Sequence, residues 1–318
     1  MEPGNQTTVM VFMLLGLMRN NNGQVLLFIF FALVYLVTLI DSIGIVILCC
    51  TDPQLYMPMY FFISNLSFVD LCYSSTVAPT LLMGLLVDRN AISITGCAVQ
   101  LFFFTTFCIA ESILLTVMAF DRYTAICKPL HYTSVMTRRF CTQLVALPYV
   151  CGLLTGATYA FFTFRLSFCD SKIPHYFCDL FPFFKLSCVD TTLIEILVYT
   201  TITIFGSCNI MTLIVSYAYI IITILQIRSS TGRQKIFSTC SPHFASVILF
   251  YGTAFAVYLH PNTKDSVEAD KVISVFYTVI VPMLNPLIYG LRSKDVKAAF
   301  WRTLKTHNVF INNKKERH

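Results

Sequence analysis

Charged residues are scarce in this chain of 318 residues. Only 12% of its residues are Asp, Glu, Lys or Arg, whereas 56% are hydrophobic and the mean hydropathy is +0.71. A soluble globular domain carries roughly twice that charged share. This composition excludes such a domain and predicts a protein that crosses a membrane several times.

The amino terminus lacks the basic residues that open a cleavable signal peptide. Residues 1–8 contain no Lys or Arg, and the apolar run over 9–18 is short and has no small-residue cleavage site. We therefore expect the first membrane span to act as its own insertion signal.

Catalytic and transport signatures are missing as well. The chain has no His-Glu-x-x-His, Gly-x-Ser-x-Gly or paired catalytic Asp motif, which argues against an intramembrane enzyme. It has no repeated halves and no helices interrupted at corresponding positions, which argues against a transporter or channel. Most of the 13 cysteines lie in apolar runs, where they act as small hydrophobes.

Seven apolar segments are long enough to cross a ~30 Å hydrocarbon core as helices. Their approximate limits are 25–50, 58–86, 97–126, 140–162, 193–227, 236–260 and 271–291. The spacing of apolar and basic residues over 293–305 predicts an amphipathic helix on the membrane surface. The predicted fold is an all-α membrane protein, a seven-transmembrane helix bundle with a short amphipathic eighth helix. It divides into an extracellular N-terminus (1–24), the transmembrane domain (25–291), and the amphipathic helix with a cytoplasmic tail (292–318).

Lys and Arg are distributed unequally between the two sides of this bundle. Fifteen of the 22 lie on the side that holds Arg122 and the carboxyl terminus. Because cytoplasmic loops carry an excess of Lys and Arg, that side is predicted to be cytoplasmic. The sequon Asn5-Gln6-Thr7 is then extracellular, where N-glycosylation occurs. The net charge of +6 follows this topology and does not indicate nucleic-acid binding.

Asp121, Arg122 and Tyr123 lie at the end of the third apolar segment. Arg cannot lose its charge, so it needs a partner where hydrocarbon meets water, and Asp121 can supply one. A paired cation of this kind can act as a two-state switch. An Arg that merely extends its side chain to the membrane interface is the alternative.

The wider sequence around this triplet, Met-Ala-Phe-Asp-Arg-Tyr-Thr-Ala-Ile-Cys-Lys-Pro-Leu-His-Tyr at 118–132, resembles the third-span signature of odorant receptors. These are a branch of the rhodopsin-like G-protein-coupled receptors. Further motifs of that family follow its order: Pro-Met-Tyr-Phe-Phe at 58–62, Ser-Tyr at 216–217, Lys-Ile-Phe-Ser-Thr-Cys at 235–240, Phe-Tyr-Gly-Thr at 250–253, and Pro-Met-Leu-Asn-Pro-Leu-Ile-Tyr at 282–289. The resemblance covers nearly the whole chain and is closest to the tetrapod-type class II branch.

The resemblance implies a multi-pass receptor of the plasma membrane. Its partners would be a small odorant, the surrounding lipids, and a stimulatory, olfactory-type heterotrimeric G protein that raises cAMP. It implies that Asp121, Arg122 and Tyr123 carry coupling to the G protein together with Tyr217, His243 and Tyr289. Tyr217 and Tyr289 are the expected partners of Arg122 in the active state.

The resemblance also implies two disulfides, Cys97–Cys178 and Cys169–Cys188. All four cysteines face the oxidising side, where disulfides persist, although four cysteines alone allow three pairings. The run from His175 to Asp179 has been read in this family as a metal motif. A disulfide at Cys178 removes a thiolate ligand, so we favour the structural interpretation.

Two carboxylic acids lie inside predicted spans. Asp70 is in the second, and Glu111, 14 residues after Cys97, falls near mid-membrane at 1.5 Å per residue. Such acids need a cation, shared protons or hydrogen-bond donors. The resemblance suggests a hydrated core with Asn285 and a bound structural sodium ion. Two neutral, hydrogen-bonded acids are the alternative.

Helical spacing and the resemblance together predict a ligand pocket in the outer half of the bundle. Its residues would come from the third, fifth, sixth and seventh spans: Phe104, Cys108, Ile109, Ser112, Ile202, Phe205, Tyr251, Phe255, Tyr258 and Thr278. Ordinary core packing is the alternative for any one of them. The set contains no charged residue, which predicts a small, largely apolar, uncharged ligand.

Two positions depart from the family pattern. Asp41-Ser42 stands where the family usually has Gly-Asn, and the usual Asn bridges the first, second and seventh spans. Pro242 replaces a small polar residue near the start of the sixth span. We expect the first departure to alter helix packing and the second to alter the local shape of the helix.

Overall fold

A computed structural model describes residues 11–17, 21–87, 90–258, 266–293, 295–303 and 305. Its elements in chain order are β1 (Val11–Leu14), α1 (Asn21–Thr51), α2 (Pro58–Leu86), β2 (Asn90–Ser93), α3 (Ile94–Cys127), α4 (Tyr132–Val135), α5 (Arg138–Thr163), β3 (Lys172–Ile173), α6 (Leu180–Leu186), α7 (Thr192–Gln226), α8 (Ser230–Tyr258), α9 (Ser266–Val275) and α10 (Val281–Arg292). A π-helical turn, Phe276–Ile280, joins α9 to α10, and a further helix, α11, covers 295–303. The predicted glycosylation site, Asn5, lies outside the described residues.

Six of the described helices are long and apolar enough to cross a membrane: α1, α2, α3, α5, α7 and the continuous helix of α9 and α10. The remaining predicted span corresponds to α8, which has 29 residues but carries Ser, Thr, His and Pro through its first half. It packs between α3 and α10 as a member of the same bundle. The seven-helix fold is confirmed, and spans one to seven are α1, α2, α3, α5, α7, α8 and α9–α10.

Span boundaries follow the predicted ones closely. Span two covers Pro58–Leu86 as predicted, because proline is well tolerated in a first helical turn, where its missing N–H would have no intrahelical partner. Span six differs most, since it begins at Ser230 and not at 236. Its first turns are polar, and helical hydrogen bonds continue beyond the apolar run from which the boundary was predicted. The helix also continues through Pro242, whose carbonyl accepts the Ser246 hydroxyl at 3.3 Å.

Span three is the central helix of the bundle. In its most apolar 18 residues 67% are buried, against 17% in span one, so span three is enclosed by neighbours while span one faces lipid. Span four packs tightly against it through Gly152 and Gly156. A Cβ at Gly156 would lie 2.6 Å from the Phe102 carbonyl oxygen, which explains the absence of a side chain there.

One end of the bundle carries both disulfides and a small sheet. We call it the disulfide end and the opposite end the Arg122 end. β1 lies between the other strands, antiparallel to β2 and parallel to β3. Phe12 of β1 is fully buried beside Phe168 and Phe183. The N-terminal segment was expected only to be extracellular, and this sheet was not predicted.

α11 packs across the Arg122 end, as the predicted short eighth helix should. Its Val296 and Ala299 are buried against the bundle, whereas Phe300 and Trp301 are exposed, as expected for residues that contact lipid. Polar contacts fix both of its ends. The Tyr60 hydroxyl donates to Asp295 at 2.7 Å, and Arg302 forms an ion pair with Asp52, also at 2.7 Å.

Candidate ligand pocket and switch

The long loop after span four is tied to the helices by a disulfide and an amide. Cys97 and Cys178 are bonded, and so are Cys169 and Cys188, which confirms both implied pairs. The Cys178 N–H also donates to Gln100 Oε1 at 2.9 Å, while Gln100 Nε2 donates to the Thr76 carbonyl at 2.7 Å. The only sequence signal for Gln100 is that it is an amide inside an apolar span.

This loop places three buried residues, His175 to Phe177, over spans three and seven. The Phe177 and Phe104 rings lie 4.9 Å apart, and the Tyr176 and Thr278 hydroxyl oxygens are 3.0 Å apart. Thr278 donates its own proton to the Ser274 carbonyl at 2.7 Å, so Tyr176 is the donor to Thr278. The loop therefore contacts two of the predicted pocket residues directly.

His175 lies beside a second basic residue, Lys271 at the start of span seven. Burial and the nearby Lys271 ammonium lower the pKa of His175 to about 3, so its imidazole is neutral at pH 7. Lys271 is itself 6% exposed, and its ammonium lies 3.5 Å from the Gly16 carbonyl oxygen. The predicted pocket set contained no charge, and it missed this buried cation two helical turns before Thr278.

Seven of the ten predicted pocket residues fall into three groups. Phe104, Cys108 and Thr278 lie together under the loop, and Ile109, Phe205 and Tyr251 pack deeper, on the central core. Ile202 belongs to a separate cluster with Leu180 and Tyr159. Phe255 is 48% exposed on the surface of span six, and the side chain of Tyr258 lies outside the described residues. Cys108 contacts both of the first two groups.

Tyr251 occupies the boundary between the predicted pocket and the inner core. Its hydroxyl donates to the Ser112 carbonyl at 3.3 Å and lies beside Thr116 and Asn209. Asn209, a buried amide in span five, was not in the predicted set. The contact joins span six to span three.

The two intramembrane acids and Asn285 form one buried cluster. Asn285 Nδ2 donates to Asp70 Oδ1 at 3.1 Å and to Glu111 Oε1 at 3.0 Å, which uses both of its protons. Asp70 Oδ2, Glu111 Oε2 and Asn285 Oδ1 are buried without a donor from the described residues. Three such oxygens fit either protons on the acids or a hard cation, which prefers oxygen ligands. No group of three or more His, Cys, Asp or Glu is placed to hold a metal ion in the described ranges.

The departure at Asp41-Ser42 leaves polar atoms unpaired. Ser42 is fully buried, and its hydroxyl oxygen has no partner within the described part of the chain. The same holds for Asp41 Oδ2. The serine side chain is too short to reach the neighbouring spans, so it does not replace the bridge that an Asn makes in the family pattern.

At the other end of span three, the Asp121 and Arg122 side chains are both buried but are not paired with each other. Asp121 accepts a hydrogen bond from the Tyr132 hydroxyl at 2.8 Å. Burial, followed by the nearby Asp121 carboxylate, raises the pKa of Tyr132 and keeps it a donor. Arg122 is 7% exposed and has no hydrogen bond or ion pair among the described residues. Tyr123 is nearby, with the Lys128 ammonium 5.7 Å from its ring centre.

A cavity of about 730 Å³ opens beside Arg122. Spans two, three, six and seven line it, together with Asp295 of α11. Tyr289, one of the two expected partners of Arg122, lies on its wall, as do Lys235 and Pro242. The cavity therefore exposes the otherwise buried guanidinium to whatever enters from this end.

Tyr217, the other residue expected to partner Arg122 in the active state, is hydrogen-bonded to His243 in this structure. The ring of His243 is fully buried, and its Nε2 lies 2.9 Å from the Leu115 carbonyl oxygen. A carbonyl only accepts, so Nε2 carries the proton and Nδ1 accepts from the Tyr217 hydroxyl. This bridge ties spans five, six and three together on the side of Arg122 away from the cavity.

A bundle of seven spans, with a disulfide-bound loop at one end and a buried arginine beside a cavity at the other, is a membrane protein of the seven-span class. A family profile described as olfactory receptor matches residues 31–307. Olfactory receptor 5G9 of Mus musculus is 46% identical over 314 residues, 98% of this chain and 100% of that relative. Olfactory receptor 5G3 of Homo sapiens is 45% identical over 312 residues, 98% and 99% of the two chains. Olfactory receptor 8A1 of Mus musculus is 47% identical over 305 residues, 96% and 99%.

The chain belongs to the olfactory receptor family, as the resemblance predicted, and it is not an enzyme.

Proposed function

We propose that this receptor binds small, mostly apolar, uncharged odorants between spans three, five, six and seven, toward the disulfide end. Binding promotes nucleotide exchange on a stimulatory, olfactory-type G protein at the Arg122 end and so raises cAMP. The Arg122 end faces the cytoplasm and the amino terminus faces outward across the plasma membrane. The excess of Lys and Arg at the Arg122 end supports this orientation.

The observation that carries the proposal is the cavity beside Arg122. The unpaired, buried guanidinium of Arg122 and the side chain of Tyr289 both line this cavity, which opens where the basic loops lie. A guanidinium offers five donors, which suits a partner segment that carries backbone carbonyls or carboxylates. Movement of span six changes this cavity directly, because Lys235 and Pro242 line it.

Tyr251 supports a route from ligand to cavity. Its hydroxyl contacts the Ser112 carbonyl, and its ring packs on both the central core and the Tyr217 cluster. We therefore expect Tyr251→Ala to weaken every agonist, whereas Phe104→Ala and Ile202→Ala re-rank agonists by size. Concentration–response curves over one panel distinguish these outcomes. Full activation of the Tyr251→Ala receptor by all agonists would contradict this role.

The test of function is a reconstitution of purified receptor in lipid nanodiscs with a stimulatory G protein. A chemically broad odorant panel should contain compounds that accelerate nucleotide exchange. Liposomes that hold receptor alone provide the control for ion flux. Odorant-dependent flux without nucleotide exchange would overturn the proposal in favour of a channel.

A sodium ion between Asp70, Glu111 and Asn285 is part of the proposal. The three partnerless oxygens of this cluster support it. We expect the thermal stability of the receptor in sodium chloride to exceed that in choline chloride at equal ionic strength, because a ligand that binds only the folded state stabilises it. The Asn285→Ala variant should lose that difference. Equal stability of the unaltered receptor in the two salts would favour protonated acids.

A further inference from the structure

His175 has one ring nitrogen without a hydrogen-bond partner. The side chain is 5% exposed, and its Nδ1 atom is buried with no partner from the described residues. Buried polar groups are nearly always paired, so an orphaned atom of this kind calls for an explanation.

The neighbouring hydroxyls determine which ring nitrogen carries the proton. Ser274 donates its proton to the Lys271 carbonyl at 2.8 Å, so its oxygen can only accept from His175. The two atoms, Ser274 Oγ and His175 Nε2, lie 3.3 Å apart. Nε2 is therefore the protonated nitrogen, and Nδ1 presents a bare lone pair.

The ring stays in this neutral form at physiological pH. Burial and the ammonium of Lys271 lower the pKa of His175 to about 3. Nδ1 is therefore an acceptor at neutral pH. The hydroxyls of Tyr176 and Thr278 cannot serve it, because each already donates elsewhere.

The contacts of His175 place its ring beside the ligand region. Ser274, its partner, is one helical turn before Thr278 in span seven. The residue two positions after His175, Phe177, packs on Phe104. Thr278 and Phe104 are both pocket residues in the proposed function.

We propose that His175 Nδ1 accepts a hydrogen bond from the hydroxyl group of the odorant, so that the receptor selects alcohols and phenols. The inference deepens the proposed function and rests on it. An aldehyde, ketone or ether with the same carbon skeleton has only acceptor atoms. It would leave Nδ1 unpaired and bring two lone pairs together, and a site built to bond a hydroxyl rejects analogues that lack one.

The probes are matched alcohol, carbonyl and methyl ether triples on octyl, cyclohexyl, benzyl and terpenoid skeletons, with phenol and anisole as a further pair. Dose–response curves are recorded for each compound as cAMP production. For every skeleton that activates, the hydroxyl member should be more potent by roughly tenfold or more. Equal potency of the carbonyl or ether member would overturn the inference.

Variants of His175 assign the preference to this nitrogen. His175→Phe should abolish the ratio of alcohol to carbonyl potency, and His175→Asn, which keeps a carbonyl acceptor, should retain part of it. The ratio is taken within one variant, so it does not depend on how much receptor reaches the surface. If His175→Phe does not fold, Ser274→Ala releases the ring and should lower the same ratio. Lys172→Gln, an exposed residue of the same loop, is the control.

The remaining outcomes separate the inference from the proposed function. Activation by carbonyl compounds or ethers but by no hydroxyl compound would overturn this inference and leave the proposed function intact. An unchanged preference in both His175→Phe and Ser274→Ala does the same. A folded receptor that no compound of the panel activates would overturn the proposed function as well.

Discussion

The two ends of this receptor are held together by different kinds of interaction. At the disulfide end, two covalent bonds, a three-stranded sheet and a cluster of buried aromatic rings close the bundle. At the Arg122 end, hydrogen bonds and the ion pair between Arg302 and Asp52 hold the helices around an open cavity. Hydrogen bonds can be exchanged at small net cost, whereas disulfides cannot. We therefore expect the Arg122 end to change shape on activation and the disulfide end to keep its shape.

The sharpest test of this contrast is Arg122→Ala. Removal of the guanidinium from the cavity should reduce agonist-dependent cAMP to background, because the guanidinium supplies the five donors that a partner segment would bond there. Surface staining should remain, since the side chain bonds to no other described residue. Normal signalling by this variant would show that the Arg122 end does not operate through its arginine.

Cys97→Ser tests the role of the disulfide end. Loss of the bond to Cys178 should cost on the order of 2–5 kcal/mol of folding stability and prevent delivery to the surface. Cys49→Ala and Cys151→Ala remove free thiols from spans one and four and should matter far less. Surface cytometry of the three variants provides the comparison. Equal losses would mean that the disulfide has no special part in closing this end.

His243→Phe loosens the Arg122 end without touching the cavity wall. It breaks the bridge from Tyr217 to the Leu115 carbonyl, which holds span six against spans three and five. Agonist-independent cAMP should rise about fivefold or more, as expected when a coupling of 1–3 kcal/mol is lost. The result is read against Ile248→Val, a change at an exposed position of the same helix. Basal activity at or below the unaltered level would contradict a restraining role.

The smallest effect is expected at the ion pair between Asp52 and Arg302. The Gln54 N–H, followed by the Arg302 guanidinium, lowers the pKa of Asp52. A carboxyl group with a lowered pKa stabilises the fold above its unfolded pKa, about 3.9, and that contribution disappears as the pH falls through the folded value. Docking of α11 should therefore weaken only in acid, and Asp52→Asn should show little further acid dependence.

The chain offers its own probe for this measurement. Trp301, its single tryptophan, lies in α11 beside Arg302 and is largely exposed. Its fluorescence should change with pH in the unaltered receptor and not in Asp52→Asn. An identical pH profile in the two would show that the ion pair does not hold α11.

The length of the apolar runs was enough to predict the seven spans, because crossing a bilayer fixes the length of a helix. The contacts across the bundle were harder to predict. The hydrogen bond between Tyr217 and His243 was not predicted, because it depends on how spans five and six pack. Gln100 and Asn209 gave no periodic signal. The β1 strand is four residues long, and its partners lie about 80 and 160 residues away, beyond the reach of local pattern.

The central strand of the sheet, β1, is synthesised long before the strands with which it pairs. Val11–Leu14 leaves the ribosome before any span, yet Met13 pairs with Lys172, which is made after four helices have entered the membrane. At roughly 5–20 residues per second, the strand waits on the order of ten seconds or more for its parallel partner. During that interval Phe12 has no core to enter. A receptor assembled in this sequence depends on whatever shields its first strand until the loop of Cys178 arrives.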